Sequence, residues 1–218
     1  MAVKEVFPGV YKIGGLLATR NITPGRRAYT EGLETEDGIE YRMWNPYRSK
    51  LAAAILNGLK HFAFDERSSV LYIGAATGTT ASHISDIAKN GSLYCIELSE
   101  RNMRELVRVC EMRGNMLPIL ADARYPDRYA DTVEQCDIIY QDASAREQAQ
   151  MLKANARFLK RSGIAYFVIK SQSVDVSKDP KIVFKRELEL LSDEFDLLQT
   201  VALEPFDRLH MFAVLKKR

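Results

Sequence analysis

From residue 69 onward, short apolar runs alternate with amphipathic stretches, and that alternation leaves few folds open. Residues 69–73, 93–96, 117–120, 136–140 and 164–169 read as strands. Residues 80–89, 99–113 and 145–159 carry helical periodicity between them. Asn90-Gly91 ends the first of these helices. Ser99 caps the second and Gly114-Asn115 stops it. Asp179-Pro180 supplies a cap and a first-turn proline for a helix to residue 191. Two closing strands, 197–203 and 209–215, are joined by Glu204-Pro205-Phe206-Asp207, a link short enough for an antiparallel pair. The pattern predicts an α/β fold: a Rossmann-like, mostly parallel sheet of seven strands, helices on both faces, the last pair antiparallel.

The first fifty residues read differently. Short apolar pieces are broken by Pro8-Gly9, Gly14-Gly15, Thr23-Pro24-Gly25 and Asp37-Gly38, while residues 39–44 alternate in the strand manner. This predicts a small N-terminal β-hairpin domain over residues 1–52, ahead of a main domain over 53–218. A helix from about residue 49 to 59 places Leu51, Ile55 and Leu59 on one face.

Composition narrows the function classes. With 31 basic and 29 acidic residues, the net charge of +2 excludes a polycation, so any nucleic-acid contact has to come from a local patch. Cys95, Cys110 and Cys136 are an odd set without C-x-x-C spacing, which suits free buried thiols better than a disulfide framework or a zinc ribbon. No metal site is expected. No apolar run approaches the ~20 residues of a membrane span, and the N-terminus lacks the apolar core of a secretory signal.

The chemistry concentrates after the first main-domain strand. Gly74-Ala75-Ala76-Thr77-Gly78 opens a helix there, and in an open parallel sheet ligands bind beyond the C-terminal strand ends. Small residues let a ligand approach the backbone, and the helix start offers free N–H groups. Thr79 and Thr80 add hydroxyl donors. Glu97 ends the second strand, where a carboxylate accepts from both ribose hydroxyls of an adenosine. Asp122-Ala123 ends the third, in reach of an adenine amino group. A glycine turn alone is often just a tight turn, but two acidic strand ends beside it indicate an adenosine cofactor. That leaves a nicotinamide dinucleotide or S-adenosylmethionine. The turn is not G-x-G-x-x-G, and Ala76 stands where a pyrophosphate needs the second glycine, which weighs against the dinucleotide.

Residues 72–86, Tyr-Ile-Gly-Ala-Ala-Thr-Gly-Thr-Thr-Ala-Ser-His-Ile-Ser-Asp, closely resemble the signature of the fibrillarin family. Further stretches resemble it too: Trp44-Asn45-Pro46-Tyr47-Arg48-Ser49-Lys50, Asp122-Ala123-Arg124-Tyr125-Pro126, Asn155-Ala156-Arg157-Phe158, Val168-Ile169-Lys170, and Leu203-Glu204-Pro205 with His210. The resemblance covers essentially the whole chain. It implies a methyltransferase-type sheet and an S-adenosylmethionine-dependent RNA 2′-O-methyltransferase. It implies a box C/D guide ribonucleoprotein in which a Nop-domain scaffold protein and a kink-turn-binding protein load the enzyme onto guide RNA, and base pairing selects the target RNA. Without an Arg/Gly-rich extension the chain looks like the archaeal type, hence cytoplasmic.

The resemblance also carries residues. It implies Lys50, Asp142, Lys170 and His210 as the catalytic set, and Leu98 and Asp142-Ala143-Ser144-Ala145 as further cofactor contacts. Two departures stand out: Ala145 where the family has a glutamine, and Leu98 where it has a phenylalanine. These keep open a catalytically weak assembly subunit of the same particle. A methyltransferase acting on a protein side chain is the other rival, disfavoured by the Lys-Asp-Lys set.

Each residue also has a plainer reading. A strand-end lysine is often a solvated charge, Asp142 could cap the following helix, and His210 could be half-buried structure. His83, on the first main-domain helix, reads as structural, and Trp44 as core between the two domains. For RNA contact two patches are candidates. One is the acid-free run Lys153, Arg157, Lys160, Arg161 and Lys170; the other is Arg42, Arg48 and Lys50 among Tyr41, Trp44 and Tyr47.

Overall fold

The computed structural model describes residues 2–218. Five short strands, β1 (Val3–Phe7), β2 (Val10–Ile13), β3 (Leu16–Arg20), β4 (Leu33–Glu36) and β5 (Ile39–Met43), form an antiparallel sheet in the order β1-β2-β3-β5-β4. Pro8-Gly9 and Gly14-Gly15 supply its first two turns, all three glycines adopting positive φ. α1 (Lys50–Leu56) follows, capped by Ser49. The expected division after residue 52 falls within this helix.

The main sheet contains β6 (Ser69–Ile73), β7 (Ser92–Glu97), β8 (Met116–Leu120), β9 (Cys136–Gln141), β10 (Leu159–Lys170), β11 (Phe195–Ala202) and β12 (His210–Lys217). Their order is β11-β12-β10-β9-β6-β7-β8, and β12 alone runs against the rest. α2 (Thr79–Ile87), α3 (Glu100–Glu111), α4 (Gln148–Asn155), α5 (Ser171–Val174) and α6 (Pro180–Glu189) fill the connections. Strand side chains alternate between two cores. Val70 and Tyr72 of β6 join α1, α2 and α3, while Leu71 and Ile73 join α4. The expected fold class is present.

The long helix expected over 145–159 is shorter. α4 ends at Asn155, a 3₁₀ turn covers Ala156–Phe158, and β10 already starts at Leu159, opposite Cys136. The register then shifts before Ile164, with Ser162 at φ +61°, so Gly163 lies inside the strand rather than before it.

The small sheet packs against α2 through buried charge. Arg42, fully buried, donates to Glu31 (2.7 Å), Asp86 (2.7 Å), the Ser82 hydroxyl (2.8 Å) and the Ser82 carbonyl (3.1 Å). Arg113 donates to the other oxygen of Asp86 (2.6 Å). Two cations and two anions cancel here, as burial of charge requires.

Candidate active site

The chain order places the crossover between β6 and β9: it runs from β6 outward to β8, then returns to the other side of β6. At such a switch point the strand ends part and leave a crevice. Gly74, Glu97, Asp122, Asp142 and Lys170 all follow or end parallel strands at that rim. Because β12 is antiparallel, its first residue reaches the same rim, and His210 pairs in register with Lys170. Lys50 arrives as the first residue of α1.

A cleft of about 580 Å³ opens over the switch point. Gly74, Glu97, Leu98, Asp122, Ala123, Asp142, Ala143, Ser144, Ala145 and Lys170 all line it. Its size suits a nucleoside-sized ligand. Gly74 has φ +82°, and a Cβ there would lie 2.7 Å from the Asp142 carbonyl oxygen, so only glycine lets the two strand ends meet. Gly78, at φ +86°, caps α2. Glu97 is held by the main-chain N–H groups of Ala76 and Ser99, both at 2.8 Å, one to each carboxylate oxygen. Oε1 also accepts a long bond from Asn102 Nδ2 (3.5 Å), while Oε2 keeps a further lone pair for a ligand hydroxyl. Leu98 is 64% exposed on the wall and offers an apolar face.

Three of the sequence-derived contacts sit outside the cleft lining. Ala75 is buried and bonds back to the Ile96 carbonyl (3.1 Å). Thr79 is the first residue of α2. Thr80 turns inward, its hydroxyl donating to Ser49 Oγ (3.0 Å), so it ties α2 to α1 instead of facing the cleft. Asp122 lines the cleft but is gripped by Arg124, whose Nη2 lies 2.6 Å away. That hydrogen bond holds the Asp122 carboxyl below the usual carboxylate range. Ala123 is fixed from behind: buried Asn155 donates to its carbonyl (2.8 Å) and itself accepts from the Tyr129 hydroxyl (2.5 Å).

The four catalytic candidates come together. Asp142 lies between two ammonium groups, Lys170 Nζ at 2.8 Å from Oδ1 and Lys50 Nζ at 3.2 Å from Oδ2. The Lys170 contact is off the hydrogen-bond axis; its aligned bonds go to the Asp142 main-chain oxygen (3.0 Å) and Ser144 Oγ (3.3 Å). All three side chains are largely shielded from solvent. The line continues through Asp207, which lies 3.7 Å from Lys50 and 2.7 Å from His210 Nδ1. Four groups of alternating charge, Lys170, Asp142, Lys50 and Asp207, therefore lead from the cleft to His210.

Sequence reasoning missed Asp207 and Gln148. Asp207 was visible as part of a turn. Gln148 is fully buried at the start of α4; its Oε1 accepts from the Lys170 N–H (3.0 Å) and its Nε2 donates to the Lys170 carbonyl (3.3 Å). Gln141, also buried, donates to the Gln148 carbonyl (2.8 Å). Nothing in the sequence distinguishes these amides from surface glutamines.

Both proposed RNA patches need correction. Arg42 is internal, as described above, and Tyr41 and Trp44 are buried. Tyr47 and Arg48 are exposed, with Arg48 over the Tyr29 ring. In the other patch, Lys153 pairs with Asp193, Arg157 with Asp127 and Lys160 with Asp137. The reason is direction. α4 starts at the rim and runs back along the sheet, so Arg157, Lys160 and Arg161 reach the opposite end, where β9 begins.

His83 has a structural place. It is buried, stacks on Trp44 (centroids 4.7 Å apart) and contacts Thr19 Oγ1 (2.8 Å) and the Tyr29 hydroxyl (2.7 Å). All three cysteines are free and buried. Among the described residues no group of three or more His, Cys, Asp or Glu could hold a metal ion, and no helix is long and apolar enough to cross a membrane.

The fibrillarin family model matches residues 1–218. This chain belongs to the fibrillarin family. A fibrillarin-like rRNA/tRNA 2′-O-methyltransferase of Methanopyrus kandleri is 50% identical to it over 197 residues, 89% of this chain and 85% of that protein. Among solved structures, Aeropyrum pernix fibrillarin, in complex with natively bound S-adenosyl-L-methionine, superimposes with a TM-score of 0.91 at 42% identity, covering 99% and 98% of the two chains. A fibrillarin in a fibrillarin/Nop5p complex does so with a TM-score of 0.91 at 36% identity, covering 99% and 100%.

Proposed function

We propose that this fibrillarin-family chain is an S-adenosylmethionine-dependent RNA 2′-O-ribose methyltransferase acting on rRNA and tRNA. The observation that carries the reading is the Lys170–Asp142–Lys50 line, whose Lys170 and Asp142 line the same cleft as Glu97. The cleft suits the methyl donor: Glu97 Oε2 keeps a lone pair for a ribose hydroxyl, Leu98 offers an apolar face, and Gly74 lets the two strand ends that frame the cleft meet. Bound there, the donor supplies a methyl group already activated on a sulfonium.

The chain then has to align a ribose hydroxyl and manage one proton. Lys170 and Lys50, fixed by Asp142, stabilise the oxygen as its proton leaves. Gln148 fixes the backbone of Lys170, so the ammonium is aimed by a rigid strand end.

A catalytically weak assembly role, or action on a protein side chain, is not favoured. Ala145 and Leu98 both line the cleft, and the polar contacts of Glu97, Asp142 and Lys170 remain beside them. We place the enzyme in a box C/D guide ribonucleoprotein with guide RNA, a Nop-domain scaffold protein and a kink-turn-binding protein, in the cytoplasm. The Nop5p complex of a relative supports the scaffold partner.

Calorimetric titration with S-adenosylmethionine, with NAD as control, is the first test. Binding of the methyl donor alone is expected. Assembled with guide RNA, the chain should methylate a matched target and leave the same target with a 2′-deoxy nucleotide untouched. Transfer to the deoxy target would refute the 2′-hydroxyl as acceptor.

A further inference from the structure

Asp207 is a carboxylate beside Lys50 that the mechanism above does not use. It stands on the connection between β11 and β12, and that connection is tied at both ends. Asn57, which caps the C-terminus of α1, donates from Nδ2 to the carbonyls of Ala202 (2.7 Å) and Glu204 (2.8 Å). Ser171, next to Lys170, donates its hydroxyl (2.8 Å) and its N–H (3.3 Å) to the Leu209 carbonyl. Leu209 sits at φ +62°, a left-handed conformation unfavourable for a leucine, and the Ser171 bonds hold it there. Between these ties, the Phe206 and Asp207 N–H groups turn back onto the Leu203 carbonyl (2.9 and 3.0 Å). The loop is thus fixed to the helix that carries Lys50 and to the strand that carries Lys170.

The result is a carboxylate aimed at one imidazole nitrogen. Asp207 Oδ1 lies 2.7 Å from His210 Nδ1, and Asp207 Oδ2 lies 3.7 Å from Lys50 Nζ. Nδ1 is buried and touches no other partner, while Nε2 is unbonded and open to solvent. The oxygen lies off the ring N–H axis, a looseness common in catalytic pairs before substrate tightens them.

We propose that Asp207 is a positioning residue that holds His210 as its Nδ1–H tautomer, leaving Nε2 to take the proton of the RNA 2′-hydroxyl. The proposal rests on the methyl-transfer reading. A carboxylate only accepts hydrogen bonds, so the nitrogen facing it carries the proton and the other carries the lone pair. The same division of labour operates in serine hydrolases, where an aspartate orients the histidine base. The proton passes from the 2′-hydroxyl to Nε2 as the oxygen's electron pair forms the bond to the methyl carbon. The carbon–sulfur bond breaks with its pair left on sulfur, and the imidazolium later releases the proton to water. Lys170 and Lys50 keep their protons and act as cations. The charged groups around His210 are Asp207 on its loop, Lys170 across the β10–β12 register and Lys50 from α1, with Asp142 between the lysines.

Imidazole nitrogen NMR on the full chain tests the tautomer without donor or RNA, and the chain has three histidines to assign. Neutral His210 should appear as the Nδ1–H form. In Asp207→Asn that preference should be lost, and in Asp207→Glu it should return. An Nε2–H form in the unmodified protein would overturn the proposal. In the assembled guide-RNA particle, Asp207→Asn should slow single-turnover transfer about 10²-fold with target KM unchanged. Asp207→Glu should recover part of that loss. The double variant Asp207→Asn/His210→Gln should be no slower than His210→Gln alone, because the two residues act as a unit. A multiplicative loss, or full speed in Asp207→Asn, would also overturn it. If the unmodified particle transfers no methyl group, the methyl-transfer reading fails instead, and the NMR result still decides the tautomer.

Discussion

Gly74 and Asp142 meet across the switch point so closely that a Cβ on Gly74 would lie 2.7 Å from the Asp142 carbonyl oxygen and 2.9 Å from Cα of Ala143. Both obstacles are main chain and cannot rotate away. Gly74 is also left-handed, which costs another residue about 1–2 kcal/mol. Gly74→Ala should therefore displace Asp142 as well as strain the turn. The expected result is a melting temperature lower by roughly 2–8 °C, with donor affinity in calorimetry weakened at least about tenfold. Unchanged affinity would mean that the turn does not shape the donor site.

Asp142 neutralises two lysines, so its replacement has consequences on both sides. Asp142→Asn leaves Lys170 without a carboxylate partner and Lys50 with Asp207 at 3.7 Å. Transfer should fall about 10²–10⁴-fold in single-turnover assays. Lys170→Met should fall comparably. Lys170→Arg should not rescue it, because a planar guanidinium cannot sit between the Asp142 carbonyl, its carboxylate and Ser144 Oγ as a compact ammonium does. Full activity in Lys170→Met would remove this lysine from the mechanism.

The Arg42 cluster should be a stability determinant with no counterpart on the surface. Removing its cation leaves Glu31 and Asp86 buried and undercompensated. Breaking such a pair from one side costs about 3–5 kcal/mol. Arg42→Met should thus lower the melting temperature by about 10 °C or more, whereas Lys153→Met, which breaks an exposed pair, should leave it nearly unchanged. Differential scanning calorimetry on the two variants makes the comparison.

His83 gives the fold its acid limit. Thr19 donates its hydroxyl to Asp86 (2.7 Å), so His83 Nδ1 carries the proton given to Thr19, and Nε2 accepts from Tyr29. Burial first, then Arg42 and Arg113, push the His83 imidazole well below its ordinary value of 6.5. As pH falls below about 6.5, the unfolded chain takes up a proton that the folded chain refuses. Stability is present above that pH and declines below it by up to about 1.4 kcal/mol per unit. In His83→Phe this slope between pH 6.5 and 5 should be absent. Urea titrations across that window read it directly.

The sequence made the strand–helix order legible because parallel strands buried on both faces leave near-continuous apolar runs. Gly74, Glu97, Asp122 and Asp142 were visible because each follows or ends such a run. What escaped was what depends on distant packing. Arg42 looked like a surface cation until Asp86, 44 positions on, met it inside. Asp207 looked like a turn residue because only the loop's ties to Asn57 and Ser171 bring it to His210. The basic run after residue 153 misled because a helix leaving the rim carries its later residues to the far end of the sheet.

Glu187 should act in the opposite sense to His83. It is 2% exposed on α6, and its Oε2 accepts from the Ala149 N–H (2.8 Å) at the start of α4. Burial above all, with Glu147 adding to it, raises its carboxyl above the ordinary value, against the pull of the Ala149 N–H and Arg186. The folded chain therefore holds a proton that the unfolded chain has already released. Its stabilising effect is fully present below about pH 4.5 and is lost as pH rises through the folded-state value. Glu187→Gln keeps an acceptor for Ala149 and never ionises. Its melting temperature should exceed that of the unmodified chain at pH 7 and match it at pH 4. Gln148 clasps Lys170 through amide groups that carry no charge, so methyl transfer at pH 7 should be unaffected. A Glu187→Gln chain less stable than the original at pH 7 would show that the ionised carboxylate is held favourably, and the burial argument would fail at this position.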